Sequence, residues 1–321
     1  KNVPYYGMLD EETGYIVLTT FSQRAGANVQ EAFKALQTEH NPKQVILDLR
    51  DNGGGFLMEA VNICNIFLNK GNEIVYTRAK IPEWDRSFKT LNTPIDTEIP
   101  LIVLMNGSSA SASEIVAGAL QDMDRAVLLG RNSFGKGLVQ NTKDIGYSSK
   151  VKLTTAKYYI PSGRCVQALN YKNGTPVKVA DSLRQEFVTK SGRKVYDGKG
   201  LEPDYKVEEA KKSVLLKALV EENLIFDYAN KYREEHDSIV AAKEFNLSDE
   251  AFKDFVLYAT DKWLTYQTST EKALEKLKKQ AQKEGTYTAL ANQFKQTKAN
   301  LQAEKVASLE KNKTEVKEYL E

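Results

Sequence analysis

Residues 105–122 read MNGSSASASEIVAGALQD, with four serines in six positions: Ser108, Ser109, Ser111 and Ser113. A serine hydroxyl attacks a carbonyl only when a base removes its proton and donors receive the charge that develops. The apolar run PLIVLM predicts a strand ending at Met105, and SEIVAGALQDM predicts a helix starting near Ser111. The first amides of a helix are unpaired and carry the positive end of its dipole, so they can serve as oxyanion donors. Ser111-Ala112-Ser113-Glu114 also matches the capping box S-x-x-E, which reads Ser111 as a cap and nothing more. On these residues alone both readings stand.

A nucleophile needs a base, and the chain has two histidines. His40 ends the helical stretch EAFKALQTEH, and His236 lies in the charged run KYREEHDSI. Both read as solvated helix residues, which makes lysine the alternative base to consider. Lysine serves only where burial pulls its pKa down. Lys136 stands apart from the solvated lysine runs, between Gly135 and Gly137 in NSFGKGLVQ. Read by itself, that stretch is a surface turn. If 136–140 is extended, Gln140 shares a face with Lys136, and its carbonyl can accept from the amine and orient it.

Elements that could carry these residues alternate along residues 1–205. GYIVLTTF, KQVILDLR, EIVYTRA, PLIVLM and RAVLLG read as strands, with NVQEAFKALQTEH, LMEAVNICNIFL and SEIVAGALQDM as helices between them. Helices between apolar strands predict crossover connections and α/β layering, with a sheet buried on both faces. SSKVKLTTAKYYIPSGRCVQ alternates instead, predicting one or two strands near a sheet edge.

Near residue 205 the chain changes character. All eight prolines lie at or before Pro203, and of nineteen glycines only Gly285 lies after Gly200. Residues 206–321 are therefore expected to form a mostly helical second domain. In SVLLKALVEENLIFDYANKY, Leu215, Leu216, Leu219, Val220 and Phe226 fall near one face. Leu224 and Ile225 fall outside that arc, which predicts wider burial or a bend. Ser248 is placed to cap the next helix. From Glu271 onward the pattern fits a long two-sided helix or a hairpin broken at Gly285. The apolar stripes need burial, and a second copy of the chain is one way to supply it.

Apolar residues make up 41% of the chain, enough for a core, and a net charge of +2 gives no nucleic-acid signature. No apolar run is long enough to span a membrane. The first residue is Lys1, as expected of a fragment or a processed form. Cys64 and Cys165 exclude a disulfide framework and a cysteine metal site, and both read as packing residues. Lys136 is followed by Gly137, so the phosphate-loop spacing is absent. Neither a metal nor another cofactor is implied.

NGSSASASEIVAGALQDMDRAVLLGRNSFGKGLVQ closely resembles the serine–lysine core of the C-terminal processing peptidases, or tail-specific proteases. That family's serine, in an S-A-S-A-S-E run, falls on Ser111; its F-G-K-G lysine, 25 residues later, falls on Lys136; its glutamine falls on Gln140. VILDLRDNGGGFL, KYYIPSGRCVQ and SGRKVYDGKGLEPD resemble further segments of the family, in order across residues 1–205. The resemblance implies a layered ClpP/crotonase-like peptidase core with some antiparallel strands. It implies Ser111 as nucleophile and Lys136 as base, with Gln140 orienting the lysine. The Ala112 amide and the glycine loop would form the oxyanion hole, with Gly54 first and Gly53 and Gly55 beside it on the substrate. Asp122 reads as a helix-end or salt-bridge residue, and Tyr159 as a border of the substrate groove. The implied substrates are proteins with accessible C-terminal tails, and the implied location is the periplasm or cell envelope. The family usually carries a PDZ domain upstream of this region, and residues 1–205 leave no room for one. Two rival functions remain: a non-catalytic peptide-binding module of the same fold, and a serine–lysine hydrolase of small amides or esters.

Overall fold

The computed structural model describes residues 1–208, 212–240 and 244–320. The chain divides into two compact units, Lys1–Glu208 and Glu209–Glu321.

The first unit runs β1 (Tyr5–Met8), β2 (Thr13–Val17), α1 (Ala25–His40), β3 (Gln44–Asp48), α2 (Leu57–Phe67), β4 (Glu73–Ala79), β5 (Arg86–Lys89), β6 (Leu101–Met105), α3 (Ala112–Asp122) and β7 (Val127–Gly130). It continues with β8 (Leu138–Gly146), β9 (Ser149–Tyr159), β10 (Leu169–Lys172), β11 (Thr175–Lys178), β12 (Glu186–Val188), β13 (Lys194–Tyr196) and β14 (Tyr205–Lys206). One sheet has the order β1-β2-β3-β6-β7-β14, parallel from β2 to β14 with β1 antiparallel at its edge. A second, antiparallel sheet has the order β5-β4-β9-β8. β10–β11 and β12–β13 are separate hairpins. The α/β layering expected from the alternation is what forms, antiparallel strands included.

Helix α1 buries Ala25, Val29, Ala32, Phe33 and Leu36, the spacing of one helical face. Its first turn has no cap of its own. The Glu59 carboxylate, from α2, accepts from the backbone N–H groups of Arg24 (3.0 Å) and Gly26 (2.8 Å). A Cβ at Gly26 would lie 2.5 Å from the Asn62 Cβ, so the two helices cross too closely there for any side chain. All eleven residues of α3 are buried, including Glu114, Gln121 and Asp122. A helix sunk this deep can keep charged groups only by pairing them.

The alternating stretch at 148–167 supplies a strand next to a sheet edge, as expected. β9 lies inside the antiparallel sheet, between β4 and β8, and β8 forms the edge. Beyond the sheet the two strands continue as an exposed arm, so the polar pattern there reflects solvent on both faces.

The second unit is helical: α4 (Val214–Glu221), α5 (Leu224–Glu235), α6 (Asp249–Thr265), α7 (Ser269–Lys283), α8 (Tyr287–Lys311) and α9 (Lys313–Leu320). Leu215, Leu219, Leu224, Tyr228, Phe255 and Trp263 belong to its core. The run from 213 to 232 is two helices. Asn223 adopts a left-handed conformation (φ 57°) and resets the helical phase. Leu224 is thereby buried, while Val220 and Phe226, expected on the buried face, are exposed. Ser248 caps α6 by accepting from the Ala251 N–H at 3.0 Å. The tail breaks at Gly285 (φ 73°), and α7 packs on α8 as a hairpin. Among the described residues no helix is long and apolar enough to cross a membrane.

Candidate active site

The four serines differ in surroundings. Ser109 Oγ donates to the Leu49 carbonyl and accepts from the Asn106 N–H, at 2.8 and 2.9 Å. Ser113 Oγ donates to the Asn52 carbonyl at 2.8 Å. Both are buried ties between the serine loop and the strand-end loop at 49–52. Ser108 is exposed. Of the four, Ser111 alone lines a cavity of about 600 Å³, at the N-terminus of α3. Its backbone is strained, with φ 58° and ψ −112°. A non-glycine residue in such a region costs about 1–3 kcal/mol and persists only where the surroundings fix it.

The same cavity is lined by Gly53, Gly54, Gly55, Ala112, Lys136 and Gln140. It brings together residues drawn from three loops, including every catalytic and oxyanion candidate read from the sequence. Tyr159 is not among its walls: it stacks on Tyr76 with ring centroids 5.2 Å apart. Its neighbour Tyr158 lines the cavity instead, because successive strand residues face opposite ways. Tyr158 is buried, and burial holds its phenol protonated well above the ordinary value. The hydroxyl donates to the Lys136 carbonyl at 2.6 Å and lies 3.3 Å from the Ser111 carbonyl.

Glu114, read from the sequence as half of a capping box, does more than cap. Its Oε2 accepts from the backbone N–H groups of Ser111 (2.8 Å) and Lys136 (2.9 Å). Its Oε1 accepts from the Gly135 N–H (2.7 Å) and the Ser133 hydroxyl (2.5 Å). One fully buried carboxylate therefore ties the serine turn to the lysine loop. Burial pushes its pKa up, and the four hydrogen bonds pull it back. No local pattern in the sequence signals contacts to residues 19 to 22 positions away.

The glycine loop is held by Asn52, which is fully buried. Its Nδ2 donates to the Leu18 carbonyl (2.7 Å), and its Oδ1 accepts from the Gly54 N–H (2.9 Å). The Gly54 N–H, which the resemblance puts first as oxyanion donor, is thus engaged by a side chain of its own loop. Among the described residues the N–H groups of Gly53, Gly55 and Ala112 have no protein acceptor. Gly54 serves by its shape. At φ 92°, a Cβ would lie 2.6 Å from the Ala110 carbonyl oxygen and 2.8 Å from the Ala112 nitrogen. The loop can thus press against the serine turn.

Lys136 lies in the loop before β8, and Gln140 follows a register shift between Val139 and Gln140. Among the described residues no hydrogen bond joins Lys136 to Gln140 or to the Ser111 hydroxyl; the three share only the cavity. At the far end of α3, Asp122 pairs with Arg164 at 2.8 Å, both side chains buried. Burial pushes the Asp122 carboxyl up, opposed by Arg164 and Ser162. Among the described residues no cluster of His, Cys, Asp and Glu could hold a metal ion.

Residues 12–177 match the description Peptidase family S41, and residues 215–321 match Probable PDZ-protease, C-terminal helical domain. The chain is 43% identical over 164 residues to a "Carboxy-terminal-processing protease" of Bartonella bacilliformis, covering 50% of this chain and 38% of that protein. It is 29% identical over 291 residues to the "Carboxy-terminal processing protease CtpA" of Bacillus subtilis, covering 86% of this chain and 58% of that protein. In both cases it spans less than two thirds of the relative. A solved "photosystem II D1 C-terminal processing protease" is similar at a TM-score of 0.47 and 30% identity, over 61% of this chain and 42% of that one.

Proposed function

This chain belongs to peptidase family S41, and from that premise we propose that it is a serine endopeptidase cutting proteins near their C-termini. The names of its relatives support the substrate class. The observation that carries the mechanism is the shared cavity: Ser111 and Lys136, 25 residues apart, open into it together with the glycine loop. Neutral Lys136 takes the Ser111 proton as Oγ attacks the peptide carbonyl. The oxyanion receives hydrogen bonds from the Ala112 N–H and from Gly53 or Gly55. Protonated Lys136 then gives its proton to the leaving amine, and water releases the acyl group by the same steps in reverse. Gln140 orients the lysine once substrate fills the cavity, since such contacts tighten on binding. Cleavage of exported or envelope proteins outside the cytoplasm fits the same reading.

Ser111→Ala and Lys136→Ala are each expected to abolish peptide turnover while the near-ultraviolet spectrum and unfolding midpoint stay at parent values. The double variant should be no worse than either single one, because the two groups act as a unit. Parent-level turnover by Lys136→Ala would remove lysine as the base.

A further inference from the structure

A second cavity adjoins the first, on the antiparallel sheet. Its volume is about 450 Å³, and it shares Leu57, Val139 and Asn141 with the cavity that holds Ser111. Trp84, Phe88 and Ala156 add apolar wall. Trp84 comes from the short turn Pro82–Trp84 and is 47% exposed, an aromatic held at the rim rather than packed away. Two cations, Arg86 and Lys143, complete the lining, and among the described residues no acid lines it.

β8 connects the two spaces. Its first residues line the cavity of Ser111, while Thr142 and Lys143 line only the second one. β8 is also an edge strand. The Tyr158 N–H donates to the Gly137 carbonyl at 3.0 Å, and the next pair is Leu138 with Lys157. Pairs in an antiparallel ladder alternate, so Leu138 turns its own N–H and C=O away from β9, toward the open edge. An extended peptide can pair there as an added strand.

We propose that the second cavity is a specificity subsite for the substrate polypeptide, taking one bulky apolar side chain. The proposal rests on the peptidase reading above. A strand advances about 3.3 Å per residue. Thr142 and Lys143 lie four and five positions beyond Leu138, so the side chain that enters belongs to a residue about three to five positions from the scissile bond. Apolar walls select Leu, Phe or Trp over Ala at that position. The cationic lining rejects Lys and tolerates Asp or Glu next to it.

The test is a set of peptides sharing one scissile sequence, with Ala, Leu, Trp or Lys placed in turn at each position up to six on either side. Hydrophobic pockets discriminate by roughly 10- to 200-fold. The expected result is one position, about three to five from the cut, where Trp or Leu exceeds Ala in kcat/KM by about tenfold or more and Lys falls below Ala. In Trp84→Ala, which removes a wall, and in Ala156→Leu, which fills the space, the ratio at that position should fall to about one. A ratio preserved in both variants, or no preferred position in the parent, overturns the proposal. Binding of the same peptides to Ser111→Ala separates the two readings. If the parent cuts nothing yet Ser111→Ala still binds the Trp peptide about tenfold more tightly than the Ala peptide, the subsite stands and the peptidase reading falls. If the parent cuts every peptide equally well, the subsite falls and the peptidase reading stands.

Discussion

Glu114→Gln tests whether one buried carboxylate holds the serine turn and the lysine loop together. The substitution keeps size and shape and removes the charge. In its best orientation the amide nitrogen faces Ser133, whose hydroxyl can turn to accept from it. The Gly135 N–H then meets a donor and is stranded, while the Ser111 and Lys136 N–H groups keep a neutral acceptor. One buried hydrogen bond left unmade costs about 1–3 kcal/mol. Loss of charge weakens the other contacts, since charge-assisted bonds are about twice as strong as neutral ones. A domain stable by about 5–15 kcal/mol should survive this, with its urea midpoint lowered. Activity should fall further than stability suggests, because a displacement of about 1 Å at a reacting group can cost about a hundredfold. Glu114→Asp keeps the charge but is one methylene short of reaching both loops, and it too should lose activity. The assay pairs urea unfolding with the rate of Ser111 labelling by a small acylating probe. A Glu114→Gln variant that unfolds at the parent midpoint and is labelled at the parent rate would refute the argument.

Gly54→Ala should lose activity by at least a hundredfold in peptide turnover and lower the unfolding midpoint. The new Cβ meets the serine turn's backbone at 2.6 Å, and φ 92° adds about 1–3 kcal/mol of strain. Tyr158→Phe removes the 2.6 Å hydrogen bond to the Lys136 carbonyl, and should cost about 1–3 kcal/mol in urea unfolding with a fall in kcat rather than a rise in KM. The helical unit should weaken in acid. Glu271 sits 2.8 Å from the buried Lys305 amine, and its pKa is lowered by hydrogen bonds from Lys305 and Thr268 that outweigh its own burial. A lowered carboxylate stabilises the fold above its unfolded-state pKa and loses that contribution as pH falls through the folded value. Trp263 donates to the Lys305 carbonyl, so its fluorescence in a Trp84→Phe background should report unfolding as pH drops below the ordinary glutamate range. Glu271→Gln should unfold more easily at neutral pH and show a flatter acid dependence; an acid transition identical to that of the Trp84→Phe parent would exclude this pair as its source.

Local pattern made the layering and the helical tail legible, because both follow from hydrophobic period and from where proline and glycine occur. It failed where a single residue reset the phase. Asn223 exposed Val220 and Phe226, although the bend offered as one reading of Leu224 and Ile225 is present. At the site, the resemblance of the serine and F-G-K-G motifs to the family pointed to Ser111 and Lys136, but not to the backbone contacts that seat them. Whether Gly54 or its neighbours present a free N–H depends on where the Asn52 side chain turns. The choice between Tyr158 and Tyr159 depends on which face of β9 meets the cavity. The strain at Ser111 is likewise a property of the closed loop system, invisible in any window of sequence.

The motifs that marked the family meet at α3. A helix buried along its whole length carries Glu114 at one end and Gln121 with Asp122 at the other, and each needs a partner. DNGGG brings Asn52 to the serine turn. YYIPSGRCVQ supplies Tyr158 to the lysine loop, Arg164 to Gln121 and Asp122, and Gln167, whose Oε1 accepts from the Gly137 N–H at 2.7 Å. SGRKVYDGKGLEPD supplies Arg193 to Asp124, just past the helix, and the Leu201 N–H to Ser133, which in turn holds Glu114. Segments far from Ser111 in sequence are thus tied through α3 to the turn that carries it. Loss of Arg164 would leave Asp122 as an unpaired buried charge, at about 3–5 kcal/mol. An Arg164→Met variant should therefore lose stability first and activity as a consequence, whereas Ser111→Ala should lose activity alone.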